Sequence, residues 1–193
     1  SLQRAAVLAL GERRGSVVAI EPETGGVLAM VSKPSYDPNL FVTGIGFEAY
    51  ASLRDSIDTP LFNRAVQGQY QPGSTIKPII GLAALASGYT TPEFKMSDPG
   101  WYRLPGNERL YRDWNWRTTT DGGHGIVDLR KAIYQSCNIY FYSLAVKMGI
   151  DLIDDYLALF GFGSNAILDF PEASSGLLPT REWKKETRGL PWY

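Results

Sequence analysis

The stretch Tyr70-Gln71-Pro72-Gly73-Ser74-Thr75-Ile76-Lys77-Pro78 precedes an apolar run that reaches Gly88. Serine is a preferred first residue of helices and glycine commonly ends them, so the pattern predicts a helix from Ser74 to Gly88. Pro78 is compatible with this start, because the first backbone N–H groups of a helix have no acceptor within the helix. Residues three apart share a helix face, so we expect Lys77 one turn from Ser74.

Ser74 and Lys77 are therefore a candidate nucleophile and base. A serine hydroxyl is a poor nucleophile until a neighbour takes its proton. Lysine can take it only when neutral, which requires burial or nearby positive charge to lower its pKa. The apolar helix offers burial, and the positive end of the helix favours negative charge at the Ser74 oxygen. Because Ser-x-x-Lys is common, an ordinary capped helix with a solvated lysine is the alternative.

Length and composition indicate one globular domain. The chain has 193 residues, 44% of them hydrophobic, which is enough for a core and argues against disorder. A net charge of −1 argues against a general binder of nucleic acid or anionic membranes. No apolar run approaches the roughly 20 residues of a membrane-spanning helix, and residues 5–10 lack the surroundings of a signal peptide, so we expect any targeting segment outside the chain. The single cysteine, Cys137, excludes an internal disulfide.

The remaining sequence predicts a mixture of helices and strands. We expect a helix over residues 2–10 and a hairpin of strands 16–20 and 27–31, because two β-branched runs flank a turn sequence. Residues 33–63 read as mostly loop with a short helix near 47–53, and residues 89–125 as a long aromatic loop. Later helices are predicted from Asp128 to about Gln135, from Ile139 to Met148, from Asp151 to about Phe160 and from Thr180 onward.

A second motif, Ser136-Cys137-Asn138, lies between two of these predicted helices. Its hydroxyl could relay a proton between Lys77 and a leaving group, and its amide could hold the backbone of a substrate. Ser-x-Asn alone carries little information. Together with the Ser74 motif it becomes specific, because penicillin-interacting enzymes pair Ser-x-x-Lys with such an element.

With these motifs, the chain resembles the transpeptidase domain of class B penicillin-binding proteins, in particular the elongation-specific subfamily of Gram-negative rods. The resemblance covers nearly the whole chain. Beyond the two motifs it rests on Thr24-Gly25-Gly26-Val27-Leu28-Ala29, Pro34-Ser35-Tyr36-Asp37-Pro38-Asn39, Asp98-Pro99-Gly100-Trp101, Tyr111-Arg112-Asp113-Trp114 and Pro179-Thr180-Arg181-Glu182-Trp183-Lys184. It implies an α+β fold shared with serine β-lactamases, an antiparallel sheet flanked by helices. Residues 1–193 would be the N-terminal portion of one transpeptidase domain, with the C-terminal part missing.

The resemblance implies a peptidoglycan D,D-transpeptidase of cell elongation. Ser74 would attack the penultimate D-Ala carbonyl of a stem pentapeptide, with Lys77 as general base. Ser136 would relay a proton and Asn138 would orient the substrate. An amine of a neighbouring stem peptide would resolve the acyl-enzyme into a cross-link, and β-lactam antibiotics would acylate the same serine. No cofactor is expected for catalysis.

The resemblance also implies a place and partners. Cross-linking occurs in the periplasm, so we expect a periplasmic domain of an inner-membrane protein whose anchor lies outside this chain. The implied partners are stem peptides, β-lactams, the glycosyltransferase of the elongation machinery and its scaffold protein. No nucleic acid is expected.

The chain departs from the family at the third motif, Lys-Ser/Thr-Gly. Thr187-Arg188-Gly189 does not match it. In the family that motif supplies half of the oxyanion hole, and loss of one oxyanion donor costs about a hundredfold to a thousandfold in turnover. We therefore expect this chain alone to be inactive or impaired. Two alternatives remain: a serine β-lactamase or β-lactam sensor, for which no clear water-activating base is found, and an inactive structural fragment.

A candidate zinc site consists of Asp98, Asp113, His124 and Cys137. Two carboxylates, an imidazole and a thiolate make a plausible four-coordinate set for zinc. The resemblance supports a structural zinc here, because some members of the elongation subfamily carry one. The alternative is a solvated His124, a Cys137 that acts as a small buried hydrophobe, and aspartates that cap or form turns.

Four aromatic residues of this region are expected to pack the loop, with sugar binding as the alternative: Trp101, Tyr102, Trp114 and Trp116.

Overall fold

A computed structural model of the chain describes residues 1–116, 122–165, 167 and 169–192. The chain divides into two compact units. The first comprises Ser1–Tyr70 with Asn165–Ser174, and the second comprises Gln71–Ser164 with Ser175–Tyr193. The interpretation of residues 1–193 as part of one transpeptidase domain stays a prediction. Within the described residues, no helix has the length and apolar character needed to cross a bilayer.

The first unit is built on a helix and a hairpin. Its elements are α1 (Leu2–Leu10), β1 (Gly15–Ile20), β2 (Val27–Lys33), a 3-10 helix (Pro38–Phe41) and α2 (Phe47–Arg54). β1 and β2 pair antiparallel, with an irregularity between Ala19 and Ile20. The Gln3 side chain on α1 donates to and accepts from the backbone of Met30 on β2, both at 2.8 Å. The predicted first helix, hairpin and short second helix are confirmed.

The second unit contains both motifs. Its elements are a 3-10 helix (Gly73–Ile76), α3 (Lys77–Ala86), β3 (Met96–Asp98), β4 (Trp101–Arg103), β5 (Leu110–Arg112), β6 (Gly125–Val127), α4 (Leu129–Tyr134), α5 (Asn138–Met148), α6 (Ile150–Leu159) and α7 (Arg181–Arg188). Helices α3 to α6 share one hydrophobic core, in which Ala83, Ile139, Leu144 and Leu157 are buried. Tyr140 is fully buried in this core. Its side-chain hydroxyl has a hydrogen-bond partner, Thr90 Oγ1, at 2.8 Å.

The prediction that Ser74 caps the central helix is wrong. Ser74 lies inside the 3-10 helix, and α3 begins at Lys77 without a side-chain cap. The hydroxyl of Ser74 instead accepts a hydrogen bond from the Ser136 hydroxyl. The predicted end is confirmed: α3 stops at Ala86, and Gly88 adopts a left-handed φ of 73°.

The helices predicted to start at Asp128 and Thr180 are confirmed, and both residues cap them. Asp128 accepts from the backbone N–H of the third residue of α4, and Thr180 does the same for α7. The prediction that Asp151 caps α6 is wrong, because α6 begins after Gly149 and Asp151 lies within its first turn. The Asp151 carboxylate accepts from Arg181 Nε at 2.6 and 2.8 Å instead.

The prediction that residues 89–125 form one long aromatic loop is wrong in part: the described residues of this segment include three short strands, and a fourth strand, β6, begins at Gly125. β4 pairs antiparallel with β5, and β3 pairs antiparallel with β6. Each strand has three residues, which is too short for a period-two pattern to be visible in the sequence. The β3–β6 pair places Asp98 opposite Gly125. This pairing brings together two segments that carry candidate metal ligands.

Candidate active site and metal centre

Four side chains of the two motifs form one hydrogen-bonded cluster. Ser136 Oγ lies 2.7 Å from Ser74 Oγ, and Lys77 Nζ donates to Ser136 Oγ at 3.0 Å. Lys77 Nζ also donates to Ser136 O and Asn138 Oδ1, both at 2.7 Å. Across the described residues no hydrogen bond joins Lys77 Nζ directly to Ser74 Oγ. The Ser136 hydroxyl is therefore the link between them.

Lys77 and Ser74 differ in their exposure. Lys77 is buried, with 8% of its surface accessible, whereas Ser74 is exposed. Burial lowers the pKa of the Lys77 ammonium, and the negative charge of the nearby Asp113 carboxylate opposes this shift in pKa. The cluster thus combines a buried amine that loses its proton more readily than a free lysine with a hydroxyl that a substrate can reach.

The backbone of Ser136 has an unusual conformation with a helix-ending function. Its φ is +54°, in the left-handed region that favours glycine. The N–H of Ser136 donates to Ile133 O at 3.1 Å, and the N–H of Cys137 donates to Ala132 O at 2.9 Å. These two bonds are the pair that closes a helix in a Schellman motif. The end of α4 therefore sets the direction of the Ser136 side chain.

The four predicted metal ligands lie together next to this cluster. One ligand atom from each of Asp98, Asp113, His124 and Cys137 falls within 4.8 Å of every other. His124 Nδ1 is 2.7 Å from Asp98 Oδ2 and 3.3 Å from Asp113 Oδ2. Cys137 Sγ is 3.2 Å from Asp98 Oδ2. The His124 side chain is only 4% exposed, so the alternative of a solvated His124 is wrong.

The donor set fits zinc. Both carboxylates are buried without a lysine or arginine partner among the described residues, and oxygen, nitrogen and sulfur are all zinc ligands. Burial works against ionisation of Asp98, yet hydrogen bonds from His124, Gly100 and Cys137 hold its pKa below the usual value. Burial raises the pKa of the Cys137 thiol to about 12, so a bound metal would have to displace its proton.

Close contact between two backbone segments holds Asp98 against His124. Gly123 has a φ of +63°, and a Cβ at this position would overlap with Gly100 N and the backbone oxygen of Asp98. The Asp98 carboxylate accepts from the N–H of Gly100 at 2.6 Å and from the N–H of His124 at 3.1 Å. Glycine is required at position 123 because no side chain fits between these two segments.

The candidate metal centre and the second motif are joined at two points. Cys137 is the middle residue of Ser136-Cys137-Asn138, and the N–H of Asn138 donates to Asp113 Oδ2 at 3.0 Å. Trp114 adds a third connection, since its indole Nε1–H donates to Gln135 O at 3.0 Å. Sequence reasoning assigned Trp114 to loop packing and missed this bond, and no pattern in the sequence would have revealed it.

Comparison with known proteins identifies the family and the fold. The model of the penicillin-binding protein transpeptidase domain matches residues 15–190. The chain therefore belongs to this family, and the predicted family and α+β transpeptidase fold are confirmed. The family match runs through both compact units.

Among curated proteins, the chain is similar to the peptidoglycan D,D-transpeptidase MrdA of Acinetobacter baumannii, with 51% identity over 191 residues. It is 45% identical to MrdA of Escherichia coli K12 over 185 residues. These matches cover 99% and 95% of this chain, respectively, but the chain spans only 28% of the length of each relative.

Among solved structures, the chain is similar to penicillin-binding protein 2 of Pseudomonas aeruginosa in complex with WCK 5153. The TM-score is 0.90 and the identity 54%, over 100% of this chain and 42% of that one. It is also similar to penicillin-binding protein 2 of Helicobacter pylori in complex with MreC, with a TM-score of 0.90, 31% identity, and coverage of 100% and 35%. The expected likeness to the elongation subfamily is confirmed.

Proposed function

We propose that this chain supplies the nucleophile and proton relay of a peptidoglycan D,D-transpeptidase. The observation that carries the proposal is the continuous path from Ser74 Oγ through Ser136 Oγ to Lys77 Nζ, with steps of 2.7 and 3.0 Å. Both steps lie within the range required for proton transfer by a positioned side chain. The D,D-transpeptidase names of the relatives support the same activity.

The contacts of Lys77 suit a base. A neutral amine has two N–H donors and one lone pair. Ser136 O and Asn138 Oδ1, both 2.7 Å away, can accept the two donors. The lone pair is then left for the Ser136 hydroxyl at 3.0 Å. Burial favours this neutral form by lowering the pKa of Lys77.

The reaction follows from this arrangement. Ser74 Oγ attacks the penultimate D-Ala carbonyl while its proton passes to Ser136, whose own proton passes to Lys77. The tetrahedral intermediate collapses to an ester at Ser74, and the departing D-Ala amine takes the proton back along the same path. An amine of a second stem peptide then attacks the ester, loses a proton to the relay, and leaves Ser74 with its hydroxyl restored.

We also propose that Asp98, Asp113, His124 and Cys137 hold a structural zinc ion. When bound, zinc would supply a fixed cross-link between the segment of residues 98–124 and the Ser136-Cys137-Asn138 motif, and would take no part in the acyl transfer. The donor set, its burial and its mutual distances support this proposal.

The biological setting is part of the same proposal. We place the chain in the periplasm, in a protein anchored to the inner membrane, and in contact with a scaffold protein and a polymerising glycosyltransferase. The complex of Helicobacter pylori penicillin-binding protein 2 with MreC supports the scaffold partner. A solved peptidoglycan synthase complex that couples polymerisation and crosslinking, similar with a TM-score of 0.78 and 38% identity over 93% of this chain and 30% of that one, supports the glycosyltransferase.

A labelled penicillin tests the activity. On the whole protein we expect a long-lived adduct, measured by intact mass and located on Ser74 by peptide mapping. Ser74→Ala should remove the adduct, and Ser52→Ala on the exposed side of α2 should keep it. Release of D-Ala from a pentapeptide in the presence of an acceptor amine tests the transfer itself. Rapid turnover of the adduct would favour a β-lactamase, and no adduct would favour an inactive structural fragment.

A further inference from the structure

We infer that Trp114 is a positioning residue for the proton relay, because its indole N–H fixes the peptide group that precedes Ser136. The inference rests on the proposed function. It concerns the geometry of Ser136, which the path from Ser74 to Lys77 requires.

The two peptide groups that flank Ser136 are each held by one side chain. Gln135 O accepts from Trp114 Nε1 at 3.0 Å, and Ser136 O accepts from Lys77 Nζ at 2.7 Å. Rotation about φ of Ser136 turns the peptide group that carries Gln135 O, and rotation about ψ turns the one that carries Ser136 O. Trp114 therefore restrains φ and Lys77 restrains ψ.

This restraint acts where the backbone needs it. The φ of Ser136 is +54°, a region that disfavours every residue with a Cβ. Relaxation of φ would move Ser136 Oγ away from at least one of its partners, which lie at 2.7 and 3.0 Å. Proton transfer falls steeply when such distances lengthen. The hydrogen bond that Trp114 donates to Gln135 O thus keeps the Ser136 hydroxyl within reach of both Ser74 and Lys77.

Trp114 is itself anchored to the candidate metal centre. Its backbone N–H donates to Asp113 Oδ1 at 2.6 Å, and its ring centroid lies 5.7 Å from that of His124. Most of Trp114 faces solvent, since 65% of the residue surface is exposed. Little packing is lost if the indole changes, so the hydrogen bond can be tested without disturbing the core.

The test compares variants of the whole protein that remove the donor but keep an aromatic ring. Trp114→Phe is the first. The second replaces Trp114 by 3-benzothienylalanine, which keeps the bicyclic ring and has sulfur in place of the N–H. Trp116→Phe is the matched control, because its ring lies 4.0 Å under the Arg112 guanidinium and it makes no hydrogen bond to the Ser136 turn in the part of the chain described.

The rate constant of acylation by a fluorescent penicillin is measured separately from the dissociation constant of the non-covalent complex. Both Trp114 variants should acylate about fivefold to tenfold more slowly, as expected for one lost hydrogen bond. The dissociation constant and the metal content should change less than about twofold, because the lost hydrogen bond is a single contact within the protein. Amide exchange of Cys137, whose N–H closes the turn, should accelerate. Trp116→Phe should match the unmodified protein.

Several outcomes would overturn the inference. An unchanged acylation rate would show that the donor is dispensable. A loss confined to the dissociation constant would make Trp114 a ligand contact instead. A loss of metal or of global stability in both Trp114 variants would make its role merely structural. If the unmodified protein forms no adduct, the proposed function fails first, and exchange at Cys137 still tests the restraint on the turn.

Discussion

Asp113 Oδ2 accepts the backbone N–H of Asn138 at 3.0 Å, so a carboxylate of the candidate metal centre lies at the positive end of α5. Cys137 Sγ accepts the N–H of Tyr140, the third residue of the same helix, at 3.4 Å. Two candidate ligands therefore also accept hydrogen bonds from two N–H groups in the first turn of the helix that carries Asn138. A disturbance of the metal centre is expected to reach the catalytic cluster through these bonds.

Asp113→Asn tests this connection. The amide oxygen can still accept from Asn138, but the charge needed to hold a divalent metal is lost. We expect metal affinity to fall by more than the roughly 10- to 100-fold typical of an outer-shell partner. Metal analysis and the thermal midpoint measure the effect. Asp128→Asn, a matched change at a helix cap outside the centre, should keep the metal. Protein purified without any metal would reject the zinc proposal.

The acylation rate is expected to rise with pH through the pKa of Lys77. Burial lowers this pKa below the usual lysine value, so the neutral amine that accepts the proton appears at lower pH than for a free lysine. The rate should be low where the ammonium dominates and level off above the pKa. Lys77→Arg stays charged and should lose about a hundredfold to ten-thousandfold of the rate, with no such rise. A wild-type profile that is flat over this range would contradict the role of Lys77.

Replacement of Ser136 by alanine and by glycine separates chemistry from conformation. Both variants lack the relay hydroxyl, and both should lose about a hundredfold to ten-thousandfold of the acylation rate. Glycine tolerates the φ of +54°, whereas alanine bears the same steric cost as serine. Ser136→Gly should therefore be more stable than Ser136→Ala by roughly 1 kcal/mol in urea unfolding. Equal stabilities would show that the turn carries no strain.

Asp154 should make the fold less stable as the pH rises from about 4 to about 6. Burial, and then the charges of Asp151, Asp155 and Glu182, raise its pKa from 3.8 to about 6. In this window the unfolded chain releases the proton and the folded chain retains it, so each increase in pH favours unfolding. The cost at neutral pH is up to about 3 kcal/mol.

Asp154→Asn should remove this dependence. Asp154 Oδ1 is buried with no hydrogen-bond partner among the described residues, so the neutral amide loses no contact of that atom. Urea midpoints at pH 4.5 and pH 7.5 should lie closer together in the variant than in the unmodified chain. The exposed Asp155→Asn keeps the titrating carboxyl and should retain most of the difference. An unchanged difference in Asp154→Asn would assign the slope to other groups.

The sequence was sufficient for the elements whose signals are local. The ends of α1, the β1–β2 hairpin, and the caps at Asp128 and Thr180 all follow from residues within one turn of the element. Ser74 and Asp151 have the same capping side chains, yet neither caps its helix. Ser74 accepts instead from Ser136, and Asp151 accepts from Arg181. Helix propensity cannot predict partners that lie so far away in the sequence.

The candidate site divides in the same way. The residues of the two motifs and the four candidate metal ligands could be named from their chemical types and from family resemblance. Their connections could not, because β3 and β6 are too short to show a period, and the route from Ser74 to Lys77 through Ser136 depends on a left-handed turn at a residue other than glycine. Serine at that position resembles any loop serine until its φ is known.

The contact between Lys77 and Asn138 has a consequence for recognition. The amide oxygen accepts from the amine at 2.7 Å, which settles which way the amide is turned. The NH2 group of the Asn138 amide therefore points away from Lys77. Within the described residues it donates no hydrogen bond. A molecule that aligns with Asn138 must therefore present an electron pair, such as a peptide C=O, and one that presents only N–H groups there would meet two donors and no acceptor.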